Sequence, residues 1–247
     1  MKTYQFMLGL IFASLSFGAF ADDHAANIIF GESYNFSTTN PAAVVEAMDT
    51  WAASETGKKS LANISLGQYM SNGENEATHQ IVVFHQNKEA MNEQIAMNLA
   101  SSDSQKFLAK FASITTPVSE NLFSFVGGTN KPGVITTSTP VQMLYALEVT
   151  DLAAFQKAFA KLLASDAVAA FPGNVSYGEV IANGENPSTH WVSFTTNDAG
   201  TMLEANNAML ASSDFQEYAQ GADSFRKVNS SSMGMGVKSW LSWSPNN

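Results

Sequence analysis

Apolar residues along this chain recur with two alternating periods, and the whole pattern is written twice. Tyr34 and Phe36 flank Asn35, the every-second-residue spacing of a short strand. Asn40-Pro41 then marks a helix start, with Asn as cap and Pro at the first helical position. Val44, Ala47, Met48 and Trp51 follow at i, i+3, i+4 and i+7, one apolar stripe on a helix. Ile64, Leu66 and Met70 return to strand spacing, and Asn72-Gly73 predicts a two-residue turn that needs positive φ. On the return strand Ile81 and Val83 alternate with Val82 and Phe84, which predicts cover on both faces. Asn87 caps a second helix carrying Met91 and Leu99. Ser101-Ser102-Asp103 interrupts it, Ser102 with Gln105 forms a capping box for a restart, and Leu122 to Val126 closes the unit as a strand.

Each of these signals returns further on. Asn63 to His79 reappears as Asn174 to His190 at a constant offset of 111 residues. The second set has Tyr145 and Leu147, the cap Asp151 and the stripe Phe155, Ala158, Phe159 and Leu162. Val192 and Phe194, the cap Asp198 with Met202 and Leu210, the restart at Ser213 and Gln216, and the strand Met233 to Val237 complete it. The order is βαββαβ, twice. The predicted organisation is a signal peptide over 1–21, a lead-in over 22–33, a first module over 34–126, a linker over 127–144 and a second module over 145–240. Lys131-Pro132-Gly133 predicts a turn inside the linker. Trp240 to Trp243 is too apolar for a free tail and is expected to pack as an edge strand or cover.

The amino-terminal segment changes the picture of where the chain works. Lys2 precedes a short apolar run, Phe6 to Phe17, and Ala19-Phe20-Ala21 has the small-x-small form of a cleavage site. Export to a periplasm or the medium is expected. Cleavage would leave Asp22-Asp23-His24, whose amine, two amide nitrogens and imidazole form a square-planar set suited to Cu(II) or Ni(II). No other cofactor is expected. With no Cys, the chain can form no disulfide, thiolate metal site or Cys nucleophile. The formal charge of −10 disfavours nucleic acid and anionic membrane surfaces as partners. Four Asn-x-Ser sequons, at Asn35, Asn63, Asn174 and Asn229, would matter only in a secreting eukaryote.

The βαββαβ order, the Gly-containing second strand and the Ser-Ser-Asp-x-Gln-Lys/Glu-Phe/Tyr restart resemble the dimeric α+β barrel superfamily. That group includes antibiotic-biosynthesis monooxygenases, haem-degrading and chlorite-dismutase-like proteins, and small stress-response proteins. The resemblance implies an α+β fold of ferredoxin-like modules that pair sheet against sheet. Here both modules would lie in tandem as a single-chain pseudo-dimer. The fold hosts many functions and selects none.

Candidate chemistry rests on what the repeat keeps without an evident packing reason: Glu74, Asn75, Thr78 and His79, with Glu185, Asn186, Thr189 and His190. A His at a strand mouth, with a carboxylate and an amide in the preceding loop, suits an oriented acid–base group. A strand start with His bonded to the loop explains the same residues structurally. A haem reading would use His79 or His85, but His85 is Thr196 in the second copy and no arginine cluster accompanies either. No G-x-S-x-G, H-E-x-x-H or phosphate loop is present. Three functions stay open: a small-ligand binder, a cofactor-independent monooxygenase-like enzyme, and a structural or stress protein. Any site should occur in two related copies, of which at most one is expected to be fully functional.

Overall fold

The computed structural model describes residues 29–243, so the expected signal segment and the Asp22–His24 motif lie outside the described residues. The first half runs β1 (Phe30–Ser37), α1 (Pro41–Ala52), β2 (Ala62–Ser71), β3 (His79–His85), α2 (Lys88–Ala100), α3 (Ser102–Ile114) and β4 (Thr116–Gly128). The second runs β5 (Val141–Val149), α4 (Leu152–Leu163), α5 (Asp166–Ala170), β6 (Asn174–Ala182), β7 (His190–Thr196), α6 (Ala199–Ala211), α7 (Ser213–Ala222) and β8 (Arg226–Trp240). All eight strands close into one barrel in the order β1-β3-β2-β8-β5-β7-β6-β4. Every pairing is antiparallel, and β2 with β8 and β4 with β6 join the two halves. Closure removes the sheet edges that would otherwise invite pairing with another chain.

Barrel closure explains why β3 is apolar on both faces. His79, Ile81, Val83 and His85 share one face with Phe36 and Leu66, and that face meets the helices. Gln80, Val82 and Phe84 share the other, which faces the lumen with Asn35 and Tyr69. The lumen holds a chain of polar contacts: Tyr69 Oη donates to Asn35 Oδ1 at 2.6 Å, and Asn35 Nδ2 donates to Ser119 Oγ at 3.0 Å. On the same face Phe123 meets Phe84 and Trp191 edge-on, and Phe125 tilts against Trp191.

The helical stripes are buried as their spacing predicts. Val44, Ala47, Met48 and Trp51 of α1, and Phe155, Phe159 and Leu162 of α4, face the sheet. Asn40, Asn87, Asp151 and Asp198 each cap a helix by accepting a backbone N–H. Two local expectations are corrected. The caps of α3 and α7 are Ser101 and Ser212, one residue earlier than the capping-box reading, and Ser101 Oγ accepts from the Asp103 and Ser104 amides. The β2–β3 connection is a seven-residue loop, 72–78, in place of a two-residue turn. Gly73 still supplies the positive φ, at 59°.

The connection between halves is tied down. Gly133 turns it with φ 71°, and Lys131 Nζ donates to the carbonyls of Val168, Ala169 and Phe171 at the end of α5. At the C-terminus Trp240 belongs to β8 and its Nε1 donates to Asp49 on α1, while Ser242 and Trp243 amides donate to Asn63 Oδ1. The tail therefore covers the barrel instead of forming an edge.

Candidate functional site

The repeated loop explains most of its own residues. Asn75 Oδ1 accepts from the Ala77 amide at 2.9 Å, and Asn186 Oδ1 from the Ser188 amide at 2.9 Å. Thr78 N donates to Phe36 O and its Oγ1 accepts from Thr38 N, which ties the loop to the end of β1. Thr189 repeats this with Leu147 O and Val149 N. A seven-residue loop needs these amides and hydroxyls to satisfy its backbone. Glu74 and Glu185 are exposed on the loop and make no ion pair among the described residues.

His79 and His190 turn away from the loop and into the helix-covered core. His79 is 4% exposed and stacks on Phe36, and His190 is 9% exposed beside Phe155. In each case Nδ1 shares a hydrogen bond with the preceding Thr hydroxyl, at 2.8 and 2.9 Å, while Nε2 is buried without a partner. Burial lowers both imidazole pKa values, so each ring is neutral near pH 7. The structure thus keeps His with Thr in each half but separates both from Glu74 and Glu185.

A different cluster brings acid–base groups together. His85, the last residue of β3, is 1% exposed, and neither ring nitrogen has a partner. It lies between Phe30 of β1 and Ala62 of β2 in register. Glu32 is its diagonal neighbour on the same face, because Glu32 pairs with Val83 two residues before His85. Tyr34 Oη donates to Glu32 Oε2 at 2.8 Å, and Glu120 of β4 stands opposite Tyr34. Burial pushes the His85 pKa down and the Glu32 charge pulls it back up, burial prevailing. Burial, followed by the Glu32 and Glu120 charges, raises the Tyr34 phenol and keeps it protonated. Tyr34 and Glu32 are thus hydrogen-bonded, with the unpartnered His85 diagonal to Glu32.

The second half does not repeat this arrangement. At the 111-residue offset Glu32 becomes Met143, His85 becomes Thr196, and Glu120 becomes Ser231, with Tyr145 donating to Met143 Sδ instead. The helix above differs in the same sense. In α6, Met202, Ala205 and Met209 are buried, whereas in α2 only Gln94 is. Gln94 and Asn98 take the places of Ala205 and Met209, and Gln94 accepts from the Leu61 amide while donating to Asn98. α2 packs on β2 and β3 through the buried polar Gln94, where α6 uses three apolar side chains.

Sequence reasoning missed Glu32 because it fell within the lead-in before the first predicted strand. The available signal was the same offset comparison that set His85 against Thr196. Two grooves lie elsewhere: about 300 Å³ between α1 and α3 over Trp51 and Phe107, and about 160 Å³ between α4 and α7 over Tyr218 and Phe225. Neither is lined by a histidine. The strand neighbours of His85, which are Phe30, Ala62 and the diagonal Glu32, offer no cationic partner for haem propionates. Two of the sequons are also spent on structure: Asn35 and Asn63 are buried and hydrogen-bonded.

No protein-family model matches the chain, and no curated protein does. Solved structures do. A protein described as a candidate monooxygenase from Lactobacillus acidophilus matches with TM-score 0.54 at 17% identity, covering 85% of this chain and 93% of that one. An anthrone oxidase-like protein matches with TM-score 0.56 at 9% identity, over 87% and 93%. Chlorite dismutase from Candidatus Nitrospira defluvii matches with TM-score 0.50 at 10% identity, over 85% and 91%. The fold is the ferredoxin-like α+β barrel. At these identities the likeness reaches the architecture and stops there.

Proposed function

We propose that this chain is a cofactor-independent, monooxygenase-like enzyme that removes a proton from a small, largely apolar substrate at His85. The observation that carries the reading is the neutral, unpartnered His85 beside a Tyr34-bonded Glu32, present in one half and replaced by Met143 and Thr196 in the other. A buried neutral imidazole is a competent base, and the imidazolium it forms is stabilised by the adjacent carboxylate. The halves are read as a tandem duplication standing as a pseudo-dimer, in which the first keeps the site and the second keeps the core.

By analogy with the anthrone oxidase-like neighbour, the reaction proposed is oxygenation of an activated methylene. A methylene between conjugating groups loses a proton to His85, the carbanion combines with O2, and the peroxide anion takes the proton back from the imidazolium to give a hydroperoxide. Loss of water then leaves a ketone, so one CH2 and one O2 yield one C=O and one H2O without an external reductant. Incubating anthrone with the protein and following anthraquinone absorbance and O2 uptake tests it. His85→Gln and Glu32→Gln are expected to lower the rate, His85→Gln by roughly 10²–10⁴-fold. Retained binding without turnover in the unmodified protein would replace the enzyme reading with that of a ligand carrier, and neither binding nor turnover would favour the structural protein.

Export is part of the same proposal, with Asp22 as the mature amino terminus. Among the described residues no helix is long and apolar enough to cross a membrane. The mature protein is expected to bind one Cu(II) or Ni(II) through its amine and His24. Calorimetric titration with Cu(II) of the mature protein and of His24→Ala checks this, and equal binding by both removes the motif from consideration.

A further inference from the structure

Three methionines meet on the helix side of the barrel in the second half. Met143 of β5 stands directly opposite Met233 of β8, and Met235 follows two residues along β8 on the same face, opposite Val141. Directly opposite residues on antiparallel strands have Cβ atoms about 4.5–5.5 Å apart, and diagonal pairs such as Met143 with Met235 lie within reach of long side chains. Tyr145 Oη donates to Met143 Sδ at 3.0 Å, which engages one lone pair of that sulfur and leaves the other free. Packing accounts for only part of the cluster, since Met143 and Met233 border the second core whereas Met235 is 38% exposed. The first half shows the same positions without sulfur. At the 111-residue offset they are Glu32, Leu122 and Ser124, and Glu32 pairs with Leu122 in the matching register. Three residues of different chemistry in one half thus all correspond to thioethers in the other.

We propose that Met143, Met233 and Met235 form a binding site for one soft monovalent cation of the Cu(I) or Ag(I) class. Thioether sulfur is a soft, uncharged donor that selects Cu(I) over harder divalent ions. The unbranched methionine side chain, with three rotatable bonds and a polarizable sulfur, lets donors converge from two strands. The register neighbours on the far side of β8 are Gln68 and Ser71 of β2, both uncharged, so no basic group there opposes a cation. The formal charge of −10 favours the approach of cations. Among the described residues no group of three His, Asp or Glu side chains is placed to hold a metal ion, so no harder donor set competes. This site lies in the half opposite His85 and uses none of its residues, so it stands whether or not the proposed reaction does.

The test uses the mature chain carrying His24→Ala, which removes the amino-terminal imidazole from the measurement. Calorimetric titration with Ag(I) in chloride-free buffer is expected to show one equivalent bound, and competition with bathocuproine disulfonate under ascorbate to show the same for Cu(I). Met→Leu nearly conserves volume and removes the sulfur, so the metal-free variants should melt close to the parent. Loss of even an outer partner costs roughly 10–100-fold in metal affinity, so Met143→Leu, Met233→Leu and Met235→Leu should each weaken Ag(I) binding at least about tenfold. Met235 is the most exposed of the three and keeps the test decisive where a more buried substitution impairs folding. Absence of Ag(I) binding by the parent chain overturns the proposal. So does a Met233→Leu/Met235→Leu double variant that binds Ag(I) as tightly as the parent, or Zn(II) that displaces Ag(I) at equal concentration.

Discussion

Phe155→Ala is expected to lower the unfolding free energy by about 3–5 kcal/mol, the range for removing a buried aromatic side chain from a packed core. Phe155 is 0% exposed and touches Phe159 at 5.5 Å, His190 at 5.4 Å and Phe225 at 6.5 Å between ring centroids. It sits in a cluster of fifteen buried residues, whereas the first half has a cluster of eight. The second half is therefore the anchor of the barrel, and a cavity there has few ways to collapse. Val44, its equivalent in the first half, is also fully buried but smaller, so Val44→Ala should cost less. Urea unfolding of both variants measures the difference. A Phe155→Ala loss below about 1 kcal/mol would mean that this core does not carry the fold.

Acid should destabilise the protein over the range in which an ordinary imidazole titrates. Burial lowers the pKa of His79, His85 and His190, opposed at His85 by Glu32 and at His190 by Glu179. In the unfolded chain each would titrate near 6.5. Between that value and the depressed folded one, the unfolded state binds more protons, so stability falls as pH falls. The effect is absent above about pH 7.5 and grows below pH 6.5. Melting temperatures from pH 8 to 5 should drop, and the drop should flatten in a His79→Leu/His190→Leu double variant. An unchanged slope in that variant, with His85 also replaced by Gln, would assign the acid sensitivity to carboxylates instead. Asp49 is the alternative to watch: its hydrogen bond from Lys238 leads the causes that lower its pKa, and it loses that contribution at lower pH.

The local expectations that failed did so for reasons visible in particular residues. Ser101 and Ser102 are both able to cap a helix, and Ser102-x-x-Gln105 matches the reciprocal motif. The extended backbone at Ser101, φ −97° and ψ 124°, decides which one does. Asn72-Gly73 signals a turn correctly but not its length. The loop stays open to residue 78 because the Asn72 and Asn75 side chains bond it internally and Thr78 binds Phe36 across to β1. Phe36 lies on another strand, beyond the reach of a local pattern.

What the sequence by itself determined is the repeated βαββαβ order, the two helical stripes, four of the helix caps and the asymmetry of His85 against Thr196. Each of these depends on residues a few positions apart or on a fixed offset within the chain, and periodicity and capping act at that range. Only the tertiary structure decided which polar groups meet. Barrel closure placed His79 and His190 on the helix side, away from Glu74 and Glu185, and it set Glu32 of β1 diagonal to His85 of β3. That register joins residues separated by 53 positions in the chain, and strand pairing selected it by burying Phe36, His79, Ile81 and His85 on one face while Gly31, Ser33 and Asn35 pack on the other.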